Sequence, residues 1–143
     1  MESLFLSQII VLKKTIQSFL NEEAKVFNLN ASEMKLIHIL SFYEGESQAE
    51  LAKRMDCDKA HIHRIVIKLF IKKIIHISNK KEDNCRNVRI MLTEQGKQIA
   101  EKINKKHQEW KSILIRGISQ EDITATKRVL DQIINNIKEI ENV

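Results

Sequence analysis

The sequence predicts a mainly α-helical fold with a small two- or three-stranded β wing. The chain has no proline and only three glycines among 143 residues, so it holds few of the residues that break helices or form tight turns. Apolar residues recur in steps of three and four over most of the chain, which is the helical period. Residues 88–92 instead alternate with a period of two, which is typical of a half-buried strand.

Length and composition restrict the class of protein further. A chain of this size suggests one domain, since domains run at roughly 100–200 residues. Its 43% hydrophobic and 30% charged residues argue against intrinsic disorder. Apolar runs such as residues 9–12 are too short for a bilayer span of about 20 residues, and no signal peptide is visible. The two cysteines do not form a disulfide framework. We therefore expect a cytoplasmic protein without a membrane association.

The first predicted helix covers residues 4–20. Its apolar arc is broader than one stripe, which on a terminal helix indicates that a partner covers it as well as its own core. The arc consists of Leu4, Phe5, Leu6, Ile9, Ile10, Val11, Leu12, Ile16, Phe19 and Leu20.

Pairs of polar residues predict where the next two helices begin. Asn30 with Glu33, and Ser47 with Glu50, have the spacing of capping boxes, in which each side chain accepts a hydrogen bond from the other residue's backbone. The helix that begins after the first pair should end near Gly45, and the second pair opens a short third helix.

A fourth helix follows Asp58, and its two faces differ in chemistry. The predicted core-facing residues, spaced i, i+3, i+4 and i+7, are Ile62, Ile65, Val66 and Leu69. The residues left facing outward are Lys59, His61, His63, Arg64 and Lys68.

The rest of the chain predicts a hairpin and two helices. Residues 74–78 and 88–92 form the strands, and a polar, charged segment joins them. Thr93 is placed to cap a long helix that ends at about Gly117, a residue type favoured just after a helix. Ser119 with Asp122 opens the last helix.

Basic residues concentrate in the centre of the chain. Residues 53–89 contain eleven basic and four acidic side chains, a net charge of +7, whereas the remainder sums to −2. This distribution is typical of a phosphate-binding surface. A solvated Lys-rich surface remains the alternative on charge alone.

The strongest pattern lies between residues 47 and 92. A short capped helix, a tight turn at 55–57 and a second capped helix predict a helix-turn-helix. In that motif the second helix enters the major groove, and its N-terminal residues meet base edges. The basic hairpin that follows is then a wing, which lies along the backbone or reaches into the minor groove.

Three segments resemble the MarR family of bacterial transcriptional regulators. They are Leu-Ala-Lys-Arg-Met at 51–55, Asp-Lys-Ala-His-Ile-His-Arg-Ile-Val at 58–66 and Val-Arg-Ile-Met-Leu-Thr-Glu-Gln-Gly at 88–96. The resemblance covers nearly the whole chain. It implies a homodimeric winged helix that binds a pseudo-palindromic operator in double-stranded DNA, with repression relieved by a small-molecule or other effector.

Three features depart from the family pattern. The wing tip, residues 84–86, contains one arginine, Arg86, where the family usually has two. Lys73 stands where a glycine usually ends the recognition helix, so that turn forms either without a positive φ or with strain. His61 and His63 replace small hydroxyl residues, which bears on the operator sequence rather than on the fold.

The predicted DNA-binding residues lie on the helix-turn-helix and the wing. The start of the recognition helix is expected to meet base edges, and the wing arginine to enter the minor groove. The wing lysines suit phosphate, because an ammonium is a point charge without a bidentate fork. The predicted set is Ser47, Lys59, Ala60, His61, His63, Arg64, Lys68, Lys80, Lys81 and Arg86.

We divide the predicted single winged-helix chain, residues 1–143, into two functional parts. Residues 32–99 form the winged helix-turn-helix that binds DNA. Residues 1–28 and 117–143 form a helical dimerisation region, because their apolar faces expose too much surface for a monomer.

Three further residues predict an effector pocket. His38, His107 and Trp110 are expected in the groove between the helical and DNA-binding parts. Metal binding there with Glu22 or Glu23 is disfavoured, since no His-x-x-x-His pair exists. We expect no metal and no cofactor.

Cysteine and catalytic chemistry are the remaining possibilities. Cys57 lies before a helix N-terminus and Cys85 in a basic loop, and both are settings in which reactive cysteines occur. Redox sensing is therefore open, although two incidental cysteines are favoured. The sequence has no nucleophile elbow, paired-carboxylate spacing or zinc-hydrolase motif, so we do not expect an enzyme.

The sequence thus predicts a MarR-like DNA-binding transcriptional regulator, a repressor released by an effector. One alternative is a winged-helix protein-interaction module without operator binding, and another is a ligand- or metal-storing protein. A steep salt dependence of binding to duplex DNA distinguishes the regulator from both.

Overall fold

The computed structural model describes residues 2–79 and 88–142, with the backbone alone at residues 2, 3 and 79. Within that part, six helices and two strands follow each other in the predicted order, and the mainly helical fold with a two-stranded wing is confirmed. The elements are α1 (Glu2–Val26), α2 (Ala31–Leu40), α3 (Gln48–Met55), α4 (Lys59–Ile71), β1 (Ile75–Asn79), β2 (Val88–Leu92), α5 (Glu94–Leu114) and α6 (Gln120–Glu141).

The chain consists of two compact units. The first covers residues 1–104 and contains α1 to α4, both strands and the first half of α5. The second covers residues 105–143, with the rest of α5 and α6. The functional division into residues 32–99, 1–28 and 117–143 stays a prediction.

The core of the first unit is built from α2, α3, α4, the two strands and α5, with Ala24 from the end of α1. The four residues that the sequence places on the inner face of α4 are all buried. The largest fully buried side chains are Leu36, Ile37, Leu40, Leu51, Ile62, Val66, Leu69, Ile75, Ile90 and Ile103.

Five predicted capping residues accept a hydrogen bond from the backbone amide three residues further on. They are Asn30, Ser47, Asp58, Thr93 and Ser119. In the first two cases the glutamate at the third helical position also accepts from the cap's own N–H. Both predicted capping boxes are therefore confirmed.

The end of α2 differs from the prediction. The helix stops at Leu40 rather than near Gly45. Ser41 then donates its hydroxyl to the carbonyl of His38 at 2.6 Å. The chain turns through Gly45, with φ 78°, so that Glu46 forms an isolated β-bridge with Ile90 of β2. The chain thus leaves the helix after Leu40 and reaches the wing at Glu46. The wing has two strands and this isolated bridge, without a third strand.

The wing strands pair antiparallel, with Ile75 opposite Leu92 and Ile77 opposite Ile90. β1 begins one residue later than predicted. Its register turns Ile75, Ile90 and Leu92 into the core, and these contacts hold the hairpin against the helices.

Lys73, which stands where the family usually has glycine, adopts a positive φ. Its φ is 61°, the left-handed region that disfavours residues with a Cβ. The amide of Ile74 donates to the carbonyl of Leu69 and that of Lys73 to Phe70, both at 3.0 Å, which is the Schellman pattern of a helix end. The turn therefore forms with strain at Lys73.

Candidate nucleic-acid interface

The turn between α3 and α4 is as short as the sequence predicts. Asp56 ends α3 in the left-handed conformation, with φ and ψ both 51°. The amide of Cys57 donates back to the carbonyl of Ala52 at 3.1 Å, and Asp58 caps α4. Two helices joined in this way form a helix-turn-helix.

α4 presents most of its predicted DNA-binding residues to solvent. They lie on the face of the helix opposite its buried residues. The exposed residues of the predicted set are Lys59, Ala60, His63, Arg64 and Lys68.

Two other predicted residues of the motif are less accessible than those on the outer face. His61 is half-buried on α4. Ser47 is also half-buried, and its hydroxyl accepts from the amide of Glu50 at 3.2 Å. A DNA contact from Ser47 therefore has to share an oxygen that already caps α3.

Three predicted wing residues, Lys80, Lys81 and Arg86, lie outside the described residues, as does Cys85. The minor-groove role of Arg86 and the phosphate roles of the two lysines stay predictions. The two strands on either side of this segment are described, and β2 contains one further basic residue, Arg89.

An ion-pair cluster that the sequence does not predict joins α3 to the turn before it. The Nε of Arg54 donates to Oε2 of Glu46 at 2.7 Å, and its Nη2 donates to Oε1 at 2.6 Å. The guanidinium lies over the ring of Tyr43, 3.4 Å from its centroid. The hydrogen bond from Arg54 lowers the pKa of Glu46 and raises the pKa of Arg54. Glu46 and Arg54 are eight positions apart in sequence, and this spacing does not by itself predict an ion pair.

A second unpredicted ion pair lies at the end of α4. The Nζ of Lys72 donates to Oε2 of Glu33 at 2.7 Å and to the carbonyl of Asn28 at 2.9 Å. Glu33 is 3% exposed. Lys72 and Arg54 both belong to the basic central segment, so two of the eight cations of this segment that the structure describes are held in ion pairs within the protein.

The predicted effector residues belong to different units. His38 lies in the first unit, where its Nδ1 is 2.6 Å from Oδ1 of Asn104. The amide nitrogen of Asn104 also donates to the hydroxyl of Ser41 at 3.1 Å. His107 and Trp110 are half-buried residues of the second unit. The pocket stays a prediction.

Two features of the described residues bear on other functions. No group of three or more His, Cys, Asp or Glu side chains in residues 2–79 and 88–142 is placed to hold a metal ion. No helix in the described part of the chain combines the length and apolar character needed to cross a membrane. Cys57 is half-buried and packs against the core of the first unit.

Together, α2, α3, α4 and the hairpin constitute a winged helix-turn-helix. No protein-family model matches the chain. Its sequence is 28% identical over 113 residues to YdgJ, an uncharacterized HTH-type transcriptional regulator of Bacillus subtilis (strain 168). The aligned region covers 79% of this chain and 68% of that protein.

Solved structures share the fold at lower sequence identity. A MarR/EmrR family transcriptional regulator from Acinetobacter sp. ADP1 superposes with a TM-score of 0.83 at 23% identity, over 96% of this chain and 97% of the other. MepR of S. aureus, in its complex with DNA, gives 0.82 at 17% identity over 91% and 94%. These likenesses confirm the fold, and they agree with the resemblance to the MarR family seen in the sequence.

Proposed function

We propose that this chain is a MarR-like DNA-binding transcriptional regulator and not an enzyme. It acts in the cytoplasm as a homodimer on a pseudo-palindromic operator, and it represses transcription until a small-molecule or other effector releases it. The observation that carries the proposal is the outward face of α4, where basic and polar side chains project from a helix whose other face is buried.

The exposed residues of α4 have the chemistry of groove recognition. An arginine fork binds the O6 and N7 acceptors of guanine, and histidine and lysine supply further donors. Asp58 caps the helix, and the N-terminal half carries His63 and Arg64. This is the half of a recognition helix that reads base edges. The similar proteins named above are transcriptional regulators, and one of them is a DNA complex.

Arg64 provides the first test of this proposal. On an operator found by footprinting the DNA upstream of the protein's own gene, Arg64→Ala should weaken binding by about 1–3 kcal/mol and relax the preference at one base pair. Arg128→Ala, an exposed arginine on α6, is the matched control and should leave affinity nearly unchanged. An equal loss on all sequences would assign Arg64 to phosphate instead.

The salt dependence separates a regulator from a protein-interaction module. Neutralised phosphates release counterions, so log affinity for duplex DNA should fall linearly with log salt, with a slope of about −0.9 for each phosphate contact. A flat salt response, together with binding to acidic proteins, would favour the adaptor.

The wing arginine is proposed to read groove shape. A narrow A·T-rich minor groove attracts arginine, and Arg86 is the single arginine between the two strands. Arg86→Ala should therefore weaken operator binding more than Lys80→Ala or Lys81→Ala, and most where the flanks are A·T-rich. Three equal losses would mean that the wing is only an electrostatic arm.

The effector pocket is proposed to include His38, His107 and Trp110. Because Trp110 is the single tryptophan of the chain, its fluorescence reports binding near this residue directly. An effector that releases DNA should change the emission of the wild-type protein. Release of DNA without any change in emission would place the effector elsewhere.

A further inference from the structure

The outward face of α4 contains a row of four residues, two of which the functional assignment has not used. Ala60, Arg64, Ile67 and Ile71 are spaced four, three and four residues apart, so they lie along one side of the helix. All four are exposed. Ile67 is 43% exposed and Ile71 is 71% exposed. The recognition face therefore combines one arginine with two exposed isoleucines along its centre.

Polar residues flank most of this row, and one exposed apolar residue, Phe70, lies beside its C-terminal end. His61 and Lys68 lie on one side of it, and Lys59 and His63 lie on the other. Lysines at both margins suit the two phosphate backbones that border a major groove. The central row is then the part that meets base edges, and its apolar members need an apolar partner there.

The major groove offers one apolar group, the C5-methyl of thymine. Ile67 lies about 10 Å along the helix axis from Ala60, at 1.5 Å a residue, which is within a groove about 12 Å wide. Ile71 lies about 16 Å along and is the last residue of α4. Ile67 is therefore the isoleucine placed to reach a base.

We propose that Ile67 is a specificity-determining residue, whose side chain contacts the C5-methyl of a thymine one helical turn beyond the base read by Arg64. The inference rests on the proposed function, since it requires that α4 enters the major groove. It adds a thymine preference to a site whose polar residues alone would favour guanine and adenine contacts.

Deoxyuridine substitution tests the contact, because it removes the thymine methyl and leaves the base-pairing hydrogen bonds intact. An operator is first selected from random duplexes with the wild-type protein, and each thymine is then replaced singly. At one thymine in a half-site the affinity should fall by about fourfold, the value of one buried methyl-sized group. Ile67→Ala should lose a similar factor on the thymine operator and should be indifferent to deoxyuridine at that position.

Ile71→Ala is the matched control, because it removes the same groups from the same row one turn further on. It should keep the wild-type sensitivity to deoxyuridine. The inference is overturned if no deoxyuridine lowers the affinity, if the sensitivity persists in Ile67→Ala, or if Ile71→Ala abolishes it instead. Failure of the wild-type protein to select any sequence would overturn the proposed function, and this inference with it.

Discussion

Lys72 connects three parts of the first unit through one ammonium group. Lys72 is the C-cap residue of α4, and its Nζ donates to the carboxylate of Glu33 in α2 and to the carbonyl of Asn28, two residues after α1. A carboxylate as buried as Glu33 needs such a partner, because an unpaired buried charge is strongly destabilising. The pair therefore fixes the end of α4 against the elements that precede it.

Removal of that ammonium should destabilise the fold. We expect Lys72→Met to lower the free energy of unfolding by about 1–3 kcal/mol, because Glu33 loses its charged partner while it stays buried. Urea denaturation measures this change. Lys97→Met removes a lysine from an exposed pair with Glu94, and it should change stability by less than about 1 kcal/mol. Equal effects of the two substitutions would contradict the structural role of Lys72.

Glu46 gives a second test at the scale of single residues. Its pKa is held below the ordinary value of 4.5 by the hydrogen bond from Arg54. The pair thus stabilises the folded state above the ordinary pKa, and this contribution is lost as the pH falls through the lowered pKa. In Arg54→Met the carboxyl of Glu46 should titrate at a higher pH than in the wild type, followed by NMR. An unchanged titration would show that Arg54 does not perturb Glu46 in solution.

At the scale of elements, the helix starts could be predicted because their signals are local. Asn30, Ser47, Asp58 and Ser119 each form a hydrogen bond within four residues, so the chain alone specifies them. The true end of α2 could not be predicted, because it depends on the bridge between Glu46 and a distant strand.

The candidate site also has a part that the sequence predicts and a part that it does not. The exposed face of α4 follows from helical periodicity, which the sequence displays directly. The pairs formed by Lys72 and Arg54 join residues 39 and 8 positions apart, and only the folded arrangement of α2, α3 and α4 brings them together. Composition therefore overstated the charge that the central segment presents to solvent.

The positive φ of Lys73 at the end of α4 leads us to expect that a glycine there stabilises the fold. Lys73 has a φ of 61°, and a side chain in that region costs roughly 1–2 kcal/mol. Lys73→Gly removes this strain but gains freedom in the unfolded chain, so we expect a net stabilisation of up to about 1 kcal/mol in thermal denaturation. Lys73→Val should instead destabilise, because β-branched residues tolerate positive φ poorly. A less stable Lys73→Gly variant would show that the turn is not strained in solution.

At the scale of the whole molecule, the terminal helices carry more apolar surface than one chain covers. α6 has 22 residues, and none of them is buried. Ile123, Leu130 and Ile134 line an open groove along it. Leu4 and Val11 line another along α1. Amphipathic helices owe most of their stability to tertiary packing, so these faces predict a covering partner, and a second copy of the chain with two-fold symmetry is the one we propose.

A charge on this surface should separate the two copies. We expect the wild-type protein to sediment as a dimer at micromolar concentration and Ile134→Glu to shift toward monomer, because a carboxylate at a buried apolar interface costs several kcal/mol. Asn135→Glu adds the same group on the other side of α6 and should remain dimeric. Since each copy would contact one half-site, Ile134→Glu should also weaken operator binding while Asn135→Glu preserves it. A wild-type protein that sediments as a single monomer, or an Ile134→Glu variant that stays fully dimeric, would contradict an interface through α6.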